Sequence, residues 1–269
     1  MMGQVIGVAS GKGGVGKTVL AVGLAQALGA LLIDADFGLA NVDVQLGLPA
    51  GPDLGHVLAG MALDDATRPH PAGFHVLAGR SGNGGLASQD AAAMVSVLAA
   101  ARAHFAYVVL DIGAGVAAPQ RGLLAMADIA LIVATEEPTS LTDAYAVLKL
   151  LRRDRPAARA RVVANMAGAA AGLRVWQVLD GAARNFLGAG VEYAGCVRRD
   201  AKVVDAIRHQ QPLLLRHPAS GAAADIRAVA AGLYPPSRVS AASNATASSA
   251  ASSPSNSACI RSARGISVP

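Results

Sequence analysis

Aromatic residues and sulfur are scarce in this sequence. Phe, Trp and Tyr make up 3% of its 269 residues, so any core must be built from Ala, Val, Leu and Ile. The two cysteines, Cys196 and Cys259, sit in unlike contexts, and no C-x-x-C occurs. That argues against a disulfide framework or a thiolate metal site and reads as a reduced, cytosolic protein. Six histidines are scattered, with no H-E-x-x-H and no clustered pair. No uncharged apolar run reaches the roughly 18 residues of a membrane-spanning helix. The opening "MMGQVIGVAS" lacks a charged n-region and a cleavage site, so a signal peptide is not expected. Charge excess is small too. The net charge is +5, and Arg238, Arg261 and Arg264 near the C-terminus supply three of it, leaving +2. A body this close to neutral, without a Lys/Arg stripe interleaved with aromatics, argues against nucleic-acid binding.

What is present is apolar and periodic. Hydrophobic residues make up 53% of the chain, enough for a sizeable core in one α/β domain with a tail. Strands are expected at 4–9, 30–36, 74–79, 107–112, 129–135, 161–166 and 192–197. Most are apolar on both faces, as parallel strands covered on both sides are. Helical spacing occupies 17–28, 90–104, 119–127, 139–153, 172–186, 201–209 and 221–233. Such alternation predicts a doubly wound, mainly parallel sheet with helices on both faces. From Ser240 to Ala258, 15 of 19 residues are Ser or Ala, too little apolar side chain to offset ordering entropy. The division expected is a domain over 1–236 and a disordered tail over 237–269.

"SGKGGVGKT" (10–18) follows a strand and opens a helix, and residues 11–18 fit G-x-x-x-x-G-K-T. Gly11, Gly13, Gly14 and Gly16 let the backbone around Val15 curl its N–H groups toward phosphate oxygens. The helix N-terminus adds positive potential. Lys17 should reach the β- and γ-phosphates of ATP, and the Thr18 hydroxyl should bind Mg²⁺. Two strands end in acids: "LLIDAD" in Asp34 and Asp36, and "VVLDIGAG" in Asp111. Strand C-terminal ends in such a sheet face the ligand crevice. Beside a P-loop, Asp111 is placed as the acid that holds Mg²⁺, directly or through water. Lys12 is left over. It comes too early to be the standard P-loop lysine. Either it is solvated, or it reaches into a partner's nucleotide as an arginine finger does.

K-G-G-x-G-K-T resembles the deviant Walker A loop of the MinD/ParA ATPases. The stretches "LLIDADFGLANVDVQLGL" (31–48), "EEPTSLTDAYAVLKLLRRD" (136–154) and "RVVANMA" (161–167) resemble the flagellar-number regulators FlhG/FleN within that family. The resemblance runs from about residue 4 to 235. It implies a homodimer closed by ATP, slow Mg²⁺-dependent hydrolysis, and Lys12 acting across the dimer. Asp36 would orient the attacking water. Asp34 would support the Mg²⁺ environment, and Asp111 would be the switch II acid. Asn165 would bond the adenine edge, where an amide offers donor and acceptor together. Asn41, just after switch I, would help shape it or simply form a turn. Implied partners are the FlhF GTPase and flagellar regulators or basal-body components. The implied place is the cytoplasm, with possible attachment at the inner membrane or cell pole.

The sequence departs from the family pattern at several points. A Pro-containing "IP-x-D" after the last strand is here "CVRRD" (196–200), which puts base contacts there in doubt. Ile112 stands where a hydroxyl residue often follows the switch II acid. The chain starts at the first strand, so an N-terminal FlhF-contacting extension is not expected. No basic amphipathic tail helix is visible, and 221–233 reads as a core-packed last helix. The run 149–163 holds six basic residues. It is the one stretch favouring a ParA-like DNA-partitioning reading, although such runs are usually solvated faces. A MinD-like role in division-site selection is the other alternative.

Overall fold

The computed structural model describes residues 2–79 and 88–233. The expected domain boundary at 236, the Ser/Ala tail and Cys259 lie outside the described residues.

The chain runs β1 (Gln4–Ala9), α1 (Lys17–Leu28), β2 (Leu31–Ala35), α2 (Val42–Leu46), α3 (Leu54–Leu58), α4 (Leu63–Ala66), β3 (Arg68–His70), β4 (Phe74–Leu77) and α5 (Ser88–His104). It continues through β5 (Tyr107–Ile112), α6 (Ala118–Met126), β6 (Ile129–Ala134), α7 (Pro138–Asp154), β7 (Arg159–Asn165) and α8 (Ala169–Leu187). It closes with β8 (Glu192–Val197), α9 (Ala201–Arg208), α10 (Leu213–Arg216) and α11 (Gly221–Leu233). One sheet has the order β3-β4-β2-β5-β1-β6-β7-β8. Only β3–β4 is antiparallel; the other pairs are parallel.

The doubly wound sheet expected from the sequence is therefore present. Period-two alternation sends consecutive strand residues to opposite cores. Val5 and Ala9 join Ile33, Leu110, Ile132 and Leu148 under α5–α8. Ile6 and Val8 join Leu20, Leu24, Val109 and Ile226 under α1 and α11. A Cβ on Gly23 of α1 would lie 2.9 Å from Ile226 Cγ2, so glycine sets the spacing of α1 and α11. The last helix buries Ala222, Ala223, Ile226, Val229, Ala230 and Leu233, as a core-packed helix should.

Five elements were not expected. Strand β3 is three residues with Pro69 in the middle. Proline is tolerated there because β3 is an edge strand. Helices α2, α3, α4 and α10 are four or five residues each, too short to show a 3.6 period.

The basic run at 149–163 is largely stitching. Arg152 donates to the carbonyls of Ala189 and Gly190 at 2.5 Å each. Arg155 donates to Ala125 and Ala127, at the C-terminal end of α6. Arg153 and Arg121 share Asp154, and Arg161 pairs with Glu192. Guanidinium groups committed to carbonyls and carboxylates of the same chain are poor candidates for phosphate contacts.

Candidate functional site

The site lies at the C-terminal ends of β1, β2, β5 and β7, where a parallel sheet opens its crevice. A cavity of about 520 Å³ is walled there by Gly13, Gly16, Lys17, Thr18, Asp36 and Asn165, among others. That volume suits a nucleotide-sized ligand.

The loop from Ser10 to Gly16 is shaped by glycines with different tasks. Gly14 and Gly16 have φ of 79° and 86°, in the left-handed region. A Cβ on Gly13 or Gly14 would meet nothing within 4 Å, so these two border open space. Gly11 is required on the opposite side: its Cβ would fall 2.4 Å from the Asp143 carbonyl on α7. Gly16 is the N-cap of α1 and makes no side-chain cap hydrogen bond. The first amides of α1 thus have no capping side chain and remain available to an anion. Val15 is buried in the core, 2% exposed, so it serves the cavity only through its backbone.

Asn165 Nδ2 donates to the Val15 carbonyl at 2.6 Å, across 150 residues of chain. A Cβ on Gly16 would lie 2.3 Å from the same nitrogen. Asn165 is therefore a tether of the phosphate loop, a role the sequence reading did not include. Met166 beside it has φ of 57°, unusual for a non-glycine residue, and also lines the cavity.

The acids converge as expected. Asp34 and Asp111 are register partners on β2 and β5, 1% and 2% exposed. Burial, offset in part by backbone hydrogen bonds, raises the Asp34 pKa to about 6. Burial raises Asp111 to about 7, against the opposing pull of the Thr18 hydroxyl and Lys17. Asp34 is spent on the loop after β2. It accepts from Asp36 N at 3.1 Å, Asn41 N at 2.9 Å and Val42 N at 3.0 Å. Asp36 Oδ1 accepts from Gly38 N and Leu39 N, and a Cβ on Gly113 would sit 2.8 Å from that oxygen. The loops that follow β2 and β5 are thus packed together through Asp36. Asn41 is the N-cap of α2 without a side-chain cap bond, and it lines the cavity.

Asp111 Oδ1 is buried with no hydrogen-bond partner. A desolvated, unsatisfied carboxylate oxygen beside the Thr18 hydroxyl fits an Mg²⁺ site. Among the described residues no three His, Cys, Asp or Glu side chains form a metal cage. Mg²⁺ held with a nucleotide needs none, because waters and phosphates complete its octahedron. Ile112 is buried in the core with no exposed surface, so that departure fills space instead of donating a bond. Arg198 makes a bidentate pair with Asp225 at 2.7 and 2.8 Å, tying the end of β8 to α11. Asp200 caps α9 through Lys202 N.

Lys12 is set apart from all of these. It is not among the residues lining the cavity. Its Nζ lies 2.5 Å from Glu137 Oε2 and 3.1 Å from Thr139 Oγ1, at the start of α7. It is neither in its own phosphate site nor simply solvated.

Comparison with known proteins agrees with this geometry. The family model for the CobQ/CobB/MinD/ParA nucleotide binding domain matches residues 6–213. The antiactivator FleN of Pseudomonas aeruginosa is 37% identical over 237 residues, 84% of this chain and 85% of that one. The flagellum site-determining protein YlxH of Helicobacter pylori is 29% identical over 77% of this chain and 74% of its own. Among solved structures, the septum site-determining protein MinD of Pyrococcus horikoshii, complexed with Mg-ADP, shares the fold. It matches with a TM-score of 0.69 and 21% identity over 85% of this chain and 95% of its own. The phosphate loop, the strand-end acids and a family match over most of the chain lead to one conclusion: the chain belongs to the CobQ/CobB/MinD/ParA nucleotide binding domain family.

Proposed function

We propose that this chain is an ATP-dependent, dimerising switch of the FlhG/FleN type that controls flagellar number or placement. The observation that carries the switch reading is Lys12, a phosphate-loop lysine turned away from its own cavity. A cation so placed suits phosphates presented by a second copy. The flagellar assignment is supported by the likeness to FleN and YlxH.

In this reading Lys17, the loop amides and the α1 N-terminus bind the triphosphate. Thr18 and Asp111 hold Mg²⁺, with the Asp34 charge beside them. Mg²⁺, when bound, neutralises charge on the phosphates. Asp36 orients the attacking water through its second oxygen. Among the described residues no His or Glu lines the cavity, so turnover is slow. The Asn165 oxygen is left to accept from the adenine amino group. The closed dimer engages a protein partner, the FlhF GTPase or a flagellar regulator or basal-body component, and hydrolysis releases it. It works in the cytoplasm, with peripheral attachment to the inner membrane or cell pole as a further feature to test. Among the described residues no helix is long and apolar enough to cross a membrane.

The test is a flagellum count by electron microscopy in cells lacking the gene and in cells carrying Asp36→Ala. Extra or misplaced flagella with normal septa are expected. Purified Asp36→Ala should bind ATP and stay dimeric while losing turnover. Normal flagella with minicells or lost chromosomes would instead move the same chemistry to division or DNA partitioning.

A further inference from the structure

The turn between α9 and α10 grips the short helix that follows the Asp36 loop. Gln210 Nε2 donates to the Val44 carbonyl of α2 at 2.8 Å, across 166 residues of chain. That carbonyl lies at the C-terminal end of α2, where Gly47 N reaches it only at 3.3 Å. A Cβ on Gly47 would stand 3.2 Å from Gln210 Cβ, so the glutamine side chain is laid against the α2 C-cap. The bond is made from an unfavourable backbone. Gln210 has φ of 52° and is, with Met166, one of two non-glycine residues in the left-handed region among the described residues. Such a conformation persists where the surroundings over-determine it. Here Gln210 N and Gln211 N donate to the Ile207 and Ala206 carbonyls. Asp205 Oδ2 then pins α9 to the end of α10, pairing with Arg216 Nε and His217 Nε2 at 2.6 Å each.

Helix α2 has five residues, too few to be stable by itself. Its seat is set from both ends. At the N-terminal end Asp34 accepts from Asn41 N and Val42 N; at the C-terminal end stands Gln210. Asp34 also accepts from Asp36 N, so a shift of α2 is passed to the loop that aims Asp36. Val203, Val204 and Ile207 of α9 wall the same cavity as Leu39, Asn41 and Gln45. We propose that Gln210 is a positioning residue for hydrolysis: it fixes α2 against the α9–α10 turn and so holds Asp36 in register with the nucleotide. The proposal rests on the reading that Asp36 orients the attacking water. Gln210 is not among the residues lining the cavity, so it acts on geometry and not on affinity. Geometry matters here because a small misplacement of a catalytic group costs a large factor in rate.

The experiment measures ATP turnover, nucleotide affinity and hydrogen–deuterium exchange on the full chain. Gln210→Glu has the length and backbone cost of glutamine but no donor. It should lower kcat by about three- to fivefold, the worth of one neutral hydrogen bond. Affinity for a fluorescent ATP analogue should be unchanged. Gln210→Lys keeps a donor of similar reach and should retain kcat. Gln210→Gly loses the bond but relieves the backbone. It should melt close to wild type and still lose kcat, which a merely structural role would not produce. With ATPγS and Mg²⁺ bound, amides 38–46 should exchange faster in the Glu and Gly variants than in wild type. Wild-type kcat in both variants, or a lowered kcat with exchange at 38–46 unchanged, overturns the positioning role. Lowered kcat and faster exchange in these variants, beside wild-type turnover of Asp36→Ala, overturns the water-orienting reading and leaves the hold of Gln210 on α2 standing.

Discussion

Asp111 shows what the site demands of a single residue. Burial lifts its pKa from 3.8 to about 7, so the folded state favours the protonated acid. A raised folded-state pKa makes ionisation cost stability. In nucleotide-free protein that cost is absent below about pH 4 and grows as the pH rises through 7. Asp111→Asn removes it, with Asn still able to accept from Thr18. The variant should therefore melt higher at pH 8 by roughly 5–10 °C, on the order of 2–4 kcal/mol. The gain should disappear near pH 4, and Mg²⁺-dependent nucleotide binding should be lost. Melting curves at the two pH values check the sign; a variant less stable at pH 8 would show that Asp111 is not under strain. The identity of this acid was legible, because a strand-ending Asp beside a phosphate loop is a local pattern. Its orphaned oxygen was not, since that depends on what packs around it. Asn165 makes the same point. Its amide was expected at the base, but the nitrogen is bound to Val15, 150 residues away in sequence.

At the scale of elements, the long ones were readable and the short ones were not. Strands such as 4–9 and 107–112 occupy the expected positions, and helices such as 138–154 differ by a residue or so at their ends. Apolar runs of that length leave little choice of period. Helices of four or five residues, and the proline-containing edge strand at 68–70, carry no period to read. They are held by tertiary partners, as α2 is by Asp34 accepting from Val42 N. The packing of α1 on α11 offers a direct test. Ile226 is fully buried and faces Gly23. Ile226→Ala should cost about 2–5 kcal/mol, seen as a lower urea midpoint with nucleotide binding retained below the transition. The basic run at 149–163 was read mainly as a solvated face. Several of its arginines instead bind backbone carbonyls, because helix ends and turns present acceptors only once the chain has folded.

For the whole molecule, the expected domain of 1–236 makes a simple prediction. Deleting 237–269 should leave the melting temperature, ATP binding and turnover unchanged. A loss of turnover or of ATP-dependent dimerisation would give those residues a part in the switch.

The sequence by itself determined the doubly wound sheet, the phosphate loop and the acids at the strand ends. Each is written in a short window: strand, glycines, lysine, helix, or an apolar run closed by aspartate. Tertiary structure decided where the side chains are spent. Lys12 finds Glu137 across 125 residues, Asp34 gathers three backbone amides, and Asn165 ties down Val15. The physical reason is that donors and acceptors must be satisfied by whatever the fold brings near, and nearness in a parallel sheet is set by strand order, not by position along the chain.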